Sequence, residues 1–311
     1  MYSSTVISEL YQKLQPSHPL AERAKNKGIE IFVSSDFLDF KSSEKTLRVS
    51  HRHSIYFQDV IDNFQFYFSS VVPEKIDGML FVDFSSPRFH YIDQFELMPI
   101  YVPSFSEPFR TLTQYLEFSR IHEGSVVLDI GAYSGLSSIF FKEKVGDSGM
   151  VIAIEADEFN LQAMARNFDL YKKITKRDIV GIFGAIWSHN DGISFSAEGN
   201  MGSSACDIVG SGRGKVNLIN SFTLSRIADS LNLSRVDFVK CDIEGGEIEM
   251  LADSYFFRHY KPRIIIECHN LPSGGDSVAP CIRLLDSIGY KSNVVSQDGY
   301  PLPLIQAVHS Q

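Results

Sequence analysis

The last two-thirds of the chain alternates short, nearly continuous apolar runs with longer segments of helical periodicity, and this pattern limits the fold more than any other feature. The apolar runs are 126–130, 150–154, 179–185, 236–241 and 263–267, and the helical segments are 137–143, 160–171, 224–231, 248–256 and 281–288. Strands that are apolar on both faces are typical of a parallel sheet covered by helices on both sides. Gly289 suits a helix C-terminus, and two further strand-like runs follow at 291–295 and 304–308. We predict an α/β fold with a doubly wound, seven-stranded sheet that ends in a hairpin-like strand pair.

The first hundred residues have a different texture. They contain β-branched or aromatic runs broken by turn residues, which predict short strands at 29–33, 46–49, 55–57, 64–68, 79–84 and 89–92, after an N-terminal helix at 6–14. Pro103 and Pro108 mark the change of texture, just before a helical stretch at 111–120. We therefore predict two domains: a β-rich or mixed N-terminal extension over 1–107, and the α/β domain over 108–311.

Charge and cysteine spacing exclude several classes of protein. The 311 residues include 29 basic and 38 acidic side chains, a net charge of −9, which argues against a nucleic-acid partner because phosphate binding needs a basic surface. No run approaches the roughly 20 apolar residues that span a bilayer, and the N-terminus lacks the apolar core of a signal peptide. The four cysteines form no C-x-x-C pair. We expect a cytoplasmic protein with reduced thiols and no membrane partner.

The turn after the first strand of the α/β domain is a candidate ligand site, because open sheets bind ligands at the carboxyl ends of their strands. Asp129 ends the strand, and Gly131 and Gly135 follow in the turn. A dinucleotide fingerprint would require glycine at positions 131, 133 and 136, but Tyr133 and Leu136 occupy two of them. The pattern therefore disfavours a pyrophosphate cradle, and with it an NAD-dependent oxidoreductase of Rossmann type, which is the alternative enzyme class.

An acidic residue follows the second strand. Glu155 stands about twenty residues beyond the glycines, where a carboxylate can accept hydrogen bonds from ribose hydroxyls. Taken with Asp129 and the glycine spacing, it favours an adenosine ligand that carries a positive sulfonium over one that carries a diphosphate.

Three carboxylates follow the fourth strand within six residues: Asp242, Glu244 and Glu247. Crowded acids at a strand end raise one another's pKa, which suits proton abstraction. Alternatively, Glu244 and Glu247 stabilise the N-terminus of the next helix. We expect that structural role for Glu247 and not for Asp242.

Several segments together resemble the FkbM family of class I methyltransferases. The matching segments are 127–135, 154–157 with Asn160 and Asn167, 185–192 with Phe195, 236–247 and 266–269. The most specific match places Lys240, Asp242, Glu244 and Glu247 on the family's K-x-D-x-E-G-x-E signature, and Glu267 and His269 match its E-x-H. The resemblance covers about 110–295, and Tyr133 departs from the asparagine that is usual in the family.

The resemblance implies a Rossmann-like methyltransferase sheet, S-adenosylmethionine as cofactor, and methyl transfer to a hydroxyl on a small molecule such as a sugar or polyketide. It places the methionine part of the cofactor against the first turn, the ribose at Glu155, the adenine beside Ala185 and Ile186, and Asp242 between cofactor and acceptor. The residues expected to bind cofactor are Asp129, Gly131, Ala132, Tyr133, Gly135, Ser137, Glu155, Ala156, Ala185, Ile186 and Asp242.

Transfer to an alcohol also requires removal of its proton by a general base. His269 is the first candidate and Asp242 the second, and Glu244 completes the predicted catalytic set. The donors Asp242, Glu267, His269 and Asn270 could instead hold Mg²⁺ or Mn²⁺, a divalent-cation alternative that we leave open while predicting no metal ligand. The N-terminal extension is a candidate cap over the acceptor site, and a non-catalytic cofactor-binding module is the alternative outside enzymes. The sequence predicts neither the acceptor's identity nor the oligomeric state.

Overall fold

The structure is a computed structural model that describes Gln15 and residues 18–106, 111–209, 215–271, 274–297 and 300–310. The chain divides into two compact units, Met1–Pro108 and Phe109–Gln311. The N-terminal helix predicted at 6–14 lies outside the described residues. Within the part of the chain that is described, none of the helices combines the length and the apolar character needed to cross a membrane.

The first unit is a mixed α and β structure, as predicted. Its elements are α1 (Pro19–Asn26), β1 (Glu30–Val33), β2 (Phe37–Ser42), β3 (Lys45–Ser50), a 3-10 helix (His51–Tyr56), α2 (Phe57–Asp62), α3 (Phe64–Ser70), β4 (Glu74–Ile76), β5 (Met79–Phe84), β6 (Arg88–Ile92) and β7 (Phe95–Val102). Five strands form a sheet in the order β1-β2-β3-β5-β4, in which only β3 and β5 pair parallel. Strands β6 and β7 form a separate antiparallel pair.

The strands predicted at 55–57 and 64–68 are wrong, because both segments are helical. The buried side chains of α2 and α3 include Phe57, Val60, Ile61 and Phe64, which recur at intervals of three and four residues. That spacing forms one apolar face of a helix, and the aromatic composition of the segment obscured it.

The second unit contains the predicted sheet. Its elements are α4 (Leu112–Ser119), β8 (Val126–Ile130), α5 (Leu136–Val145), β9 (Met150–Glu155), α6 (Glu158–Thr175), β10 (Val180–Phe183), β11 (Ala185–Ile186), β12 (Ile193–Ala197), β13 (Ser204–Ala205), α7 (Cys206–Val209), β14 (Lys215–Ile219), β15 (Ser221–Phe222), α8 (Leu224–Ser230), β16 (Phe238–Cys241), α9 (Glu247–Leu251), α10 (Ser254–Tyr260), β17 (Arg263–Glu267), α11 (Val278–Ser287), β18 (Tyr290–Gln297) and β19 (Tyr300–His309). The helix predicted over 248–256 is two helices, because the Asp253 side chain accepts a hydrogen bond from the Phe256 N–H and begins α10.

The seven strands lie in the order β10-β9-β8-β16-β17-β19-β18. All neighbouring pairs from β10 to β17 are parallel, and β19 is antiparallel to both β17 and β18. Val127 and Leu128 belong to hydrophobic clusters on opposite faces of the sheet, and so do Phe238 and Val239. Burial on both faces explains why these strands appear as continuous apolar runs. The strand order reverses between β8 and β16, and ligands bind at such a switch point.

Two buried histidines in the first unit couple its stability to pH. His53 and His90 are 2% and 8% exposed. Burial, assisted by Arg52 for His53 and by Arg88 for His90, lowers the pKa of each imidazole to about 4. Both rings are therefore neutral in the folded protein at neutral pH.

We predict that the first unit loses stability as the pH falls from about 6.5 to about 4. The unfolded state takes up protons on these histidines near pH 6.5 and the folded state only near pH 4, so each residue costs on the order of 3 kcal/mol across that window. Differential scanning calorimetry of the whole chain at pH 7 and pH 5 measures the effect. His53→Phe, which cannot titrate, should reduce the acid-induced shift in melting temperature, and an unchanged shift would contradict the assignment.

Candidate active site

The turn that follows β8 touches the turn that follows β16. The Asp242 N–H donates to the Ile130 carbonyl at 3.1 Å. Gly131 has φ +75°, and a Cβ placed there would lie 1.7 Å from the Asp242 carbonyl oxygen. Only glycine combines this left-handed conformation with so close an approach. The switch point of the sheet is thus fixed by a backbone contact.

Lys240 lies beneath this contact. Its side chain is 3% exposed, and Nζ donates to the Gly131 carbonyl oxygen at 2.7 Å. Nζ is also 3.3 Å from Asp129 Oδ1 and 3.6 Å from Asp242 Oδ2. Burial lowers the pKa of Lys240, but the two carboxylates outweigh it and raise the pKa to about 12. The ammonium therefore stays charged and links the two turns.

Asp129 and Ser137 bond to each other instead of facing outward. Asp129 is fully buried, and its Oδ2 accepts hydrogen bonds from the Ser137 and Ser138 hydroxyls at 2.6 Å each. Together with Lys240, these hydroxyls engage the carboxylate inside the protein. Asp129 thus supports the turn from within, and the direct cofactor contact that the sequence analysis assigned to it stays a prediction.

Glu155 closes the same turn from the end of β9. Its carboxylate accepts from the backbone N–H groups of Tyr133, Ala156 and Asp157 at 2.8–2.9 Å. Burial outweighs these hydrogen bonds and raises the pKa of Glu155 to about 7. Tyr133 has φ +52°, a left-handed conformation that asparagine tolerates better. This explains why an asparagine suits the position.

Some of the remaining residues assigned to the cofactor line a candidate binding surface, and others are packed within the protein. Ala156 and Ala185 pack in one cluster with Trp187, which makes this cluster the candidate surface for an adenine. The Ile186 side chain instead belongs to the main core of the sheet, so only its backbone remains available. Ala132 packs with Ala153 and Met164, and a Cβ on Gly135 would lie 2.5 Å from the Phe168 ring. Protein packing therefore explains both Ala132 and Gly135.

The predicted catalytic residues meet at the neighbouring strand ends. His269 Nε2 is 3.6 Å from Asp242 Oδ1 and 3.6 Å from Glu244 Oε1. One ligand atom from each of the three side chains lies within 4.8 Å of the others. The Ser204 hydroxyl donates to the Glu244 carbonyl oxygen at 2.7 Å and so holds this turn against β13.

A fourth residue orients His269. Glu247 is fully buried, and its Oε1 is 2.8 Å from His269 Nδ1 and accepts from the Gly245 N–H at 2.9 Å. Glu247 begins α9, but its carboxylate bonds to the imidazole as well as to the turn before the helix. The sequence analysis assigned it the helix terminus alone and missed the histidine.

His269 is not a free base in this arrangement. Burial lowers its pKa, but the surrounding carboxylates of Glu244, Glu247 and Asp242 outweigh burial and raise the pKa well above the usual value. The carboxylates therefore favour the protonated imidazolium, which is not a ready proton acceptor.

Glu267, which the sequence analysis kept with Asn270 as a metal donor, does not join the cluster of acids and histidine found in the described residues. Glu267 Oε2 instead accepts a hydrogen bond from the Tyr115 hydroxyl at 3.0 Å, and burial raises the pKa of Glu267 to about 7.

The sequence analysis placed Lys240 in the family signature but gave it no role. The one signal for its role is a lysine inside an otherwise apolar strand, which must find buried acidic partners.

We predict that Gly131→Ala destabilises the second unit by about 3 kcal/mol or more, because its Cβ would overlap the Asp242 carbonyl. Gly124→Ala is the matched control: Gly124 has φ +82°, and its Cβ would be 3.4 Å from the nearest atom. The control should cost only the conformational penalty of about 1 kcal/mol. Urea unfolding followed by the fluorescence of Trp187, the chain's single tryptophan, measures both. Equal losses would contradict the close approach.

Two family models match segments of the chain. The model of the methyltransferase FkbM domain matches residues 129–292, more than half of the chain. The model of protein-L-isoaspartate(D-aspartate) O-methyltransferase matches residues 70–180. None of the curated proteins matches the chain.

Solved structures with similar folds include three methyltransferases. A precorrin-6y C5,15-methyltransferase from Geobacter metallireducens is 18% identical, covers 64% of this chain and 86% of its own, and has a TM-score of 0.39. A methyltransferase FkbM from Methylobacillus flagellatus is 18% identical, with 63% and 50% covered and a TM-score of 0.43. A SAM-dependent methyltransferase from Aquifex aeolicus is 13% identical, with 63% and 89% covered and a TM-score of 0.38.

Because these TM-scores are below 0.5, the family of this chain is assigned from the strand order and the family match. The match across residues 129–292 shows the family, and it includes the turn built on Gly131 at the switch point of the sheet. The chain belongs to the FkbM family of S-adenosylmethionine-dependent methyltransferases.

Proposed function

We propose that this methyltransferase transfers a methyl group to a hydroxyl oxygen of a small molecule. The observation that carries the proposal is the cluster of Asp242, Glu244 and His269 beside the turn that contacts Gly131. A hydroxyl must lose its proton to become an effective nucleophile, and two carboxylates with an imidazole offer acceptors for it. A carbon or nitrogen acceptor is the competing outcome.

The residues present fit S-adenosylmethionine, which when bound supplies a methyl group on a positively charged sulfur. A carboxylate has about four acceptor positions, and three backbone N–H groups of the described chain use three of those on Glu155. About one position therefore remains for one ribose hydroxyl. We infer that the other ribose hydroxyl bonds to a different group. Ala156 and Ala185 then lie beside the adenine, and Gly131 and Tyr133 line the methionine part.

The cluster residues position the acceptor and take its proton. Asp242 stands next to both the Gly131 turn and His269, so we place the acceptor hydroxyl there. Because the neighbouring carboxylates favour the protonated form of His269, we shift the proton-accepting role from His269 to the carboxylates of Asp242 and Glu244. His269, held by Glu247, then orients those carboxylates and offsets their charge.

The rival classes are less well supported. Leu136 begins α5 and Tyr133 occupies the second glycine position of a dinucleotide turn, so an NAD-dependent oxidoreductase is not favoured. A module that binds cofactor without turnover would not need a buried glutamate to orient a histidine. We retain as proposals a cytoplasmic location, in keeping with four free cysteines, and a small-molecule partner in place of nucleic acid or membrane. The capping role of residues 1–107 stays a prediction.

We predict that cofactor affinity falls as the pH drops below about 7. An ionised Glu155 accepts a ribose hydroxyl more strongly than a protonated one does, and its pKa in the free protein is about 7. Each pH unit below that value should weaken binding up to about tenfold, with a plateau above pH 8. Calorimetric titration with S-adenosylhomocysteine measures the dissociation constant, with NAD as the comparison ligand.

Two variants separate this effect from general pH sensitivity. Glu155→Ala should weaken binding and abolish its pH dependence. Glu158→Gln, a neighbouring glutamate that pairs with Lys215 at 3.1 Å, should behave like the wild type. An unaltered dissociation constant for Glu155→Ala would count against the ribose assignment.

We predict that S-adenosylmethionine with a ¹³C-labelled methyl group, incubated with a panel of hydroxylated sugars and polyketides, yields a product labelled on oxygen. His269→Ala should bind the cofactor normally but turn over about 10² times more slowly, because the carboxylates lose the group that orients them. His259→Asn, an exposed histidine that stacks on Tyr255, is the control and should retain full turnover. NMR of the product identifies the methylated atom, and a label on nitrogen or carbon would refute the proposal. Normal turnover by His269→Ala would remove His269 from the mechanism.

A further inference from the structure

We propose that Asp242, Glu244 and His269 form a binding site for one divalent cation with oxygen and nitrogen ligands. The inference deepens the proposed function and rests on it for its catalytic meaning, because the cation would lie where the acceptor hydroxyl is placed. The binding site itself is argued from the side chains alone.

The distances suit a cation. Bonds of about 2.1 Å put neighbouring ligands of an octahedral ion about 3 Å apart and opposite ligands about 4.2 Å apart. His269 Nε2 is 3.6 Å from an oxygen of Asp242 and from one of Glu244, and the three ligand atoms lie within 4.8 Å of one another. Shifts of less than about 1 Å, within reach of side-chain rotation, would bring them to coordination distance.

The orientation of His269 is a separate observation that points to a ligand. The side chain is 7% exposed, and its Nδ1 is engaged by the fully buried Glu247 at 2.8 Å. At 3.6 Å from each acid, Nε2 is within ion-pair distance of Asp242 and Glu244 but beyond hydrogen-bond distance of both. Metal-binding histidines show this arrangement: the second nitrogen bonds to a carboxylate, which fixes the ring and directs the first nitrogen at the ion.

Asp242 is also arranged to give one oxygen to the site. Its Oδ2 is 3.6 Å from Lys240 Nζ, whereas Oδ1 faces His269. The buried ammonium therefore holds one oxygen and leaves the other for coordination. Glu244 is held through its backbone, since its carbonyl accepts from Ser204.

The donor set indicates the class of ion. Two carboxylates and one imidazole suit Mn²⁺, Mg²⁺ or Zn²⁺, and they lack the thiolates that select softer ions. The cation would bind Nε2 of the neutral imidazole. A hydroxyl bound to it loses its proton more readily, which is the chemistry that an alcohol acceptor requires.

Electron paramagnetic resonance with Mn²⁺ tests the site directly. Chelator-treated protein is titrated with Mn²⁺, and free ion is measured from its signal. We expect one Mn²⁺ per chain, displaced by Mg²⁺ or Zn²⁺. His269→Ala and Glu244→Gln should each weaken binding at least tenfold, and His259→Asn should not change it. Melting temperatures identify any variant that fails to fold, and Glu244→Gln, with a partly exposed side chain, keeps the test decisive if His269→Ala does not fold.

The outcomes separate this inference from the proposed function. Mn²⁺ binding that either folded variant weakens at least tenfold supports the site, whichever atom the methyl group reaches. An absence of Mn²⁺ binding to the wild type, or binding that both folded variants retain unchanged, overturns the site even if the ¹³C label is found on oxygen.

Discussion

The backbone contact between Gly131 and Asp242 is the constraint on which the site depends. Parallel strands β8 and β16 end side by side, and their turns meet so closely that no side chain fits at position 131. The contact brings the turn proposed to bind the cofactor within reach of the acid and histidine cluster. In-line methyl transfer needs this proximity, because the reacting atoms must be held in one geometry. The fold supplies it through backbone atoms, which move less than side chains.

Buried charge stabilises the contact from below. Lys240 reaches Asp129, Asp242 and the Gly131 carbonyl, so one ammonium connects the core to both turns. Removing one partner of such a pair leaves an uncompensated charge in the protein interior, which costs about 3–5 kcal/mol of stability. The buried Glu247 likewise supports His269, because its Oε1 lies 2.8 Å from the imidazole Nδ1. The functional groups at the surface of the site are thus held by charged groups that lie beneath it.

The sequence predicted what depends on a single strand or turn. Strands 126–130 and 263–267 have the predicted bounds because both of their faces are buried, which leaves an apolar run that ends where burial ends. The acid cluster was predicted in outline, since Asp242 and His269 follow neighbouring strands. The helices near Phe57 and Phe64 were missed because aromatic residues occur in strands and in buried helix faces alike. Asp129, Glu247 and Glu267 have partners 8 to 152 residues away, and no local pattern shows such pairs.

The central claim is that the nucleoside of the cofactor lies where β8 ends, between Glu155 and the cluster of Ala156, Ala185 and Trp187. A crystal structure with S-adenosylhomocysteine tests it most directly. The account predicts a ribose hydroxyl hydrogen-bonded to Glu155, adenine against the two alanines, and the sulfur on the Asp242 side of Gly131. A nucleoside bound at any other part of the chain, with Glu155 still making only its three backbone hydrogen bonds, would contradict the account.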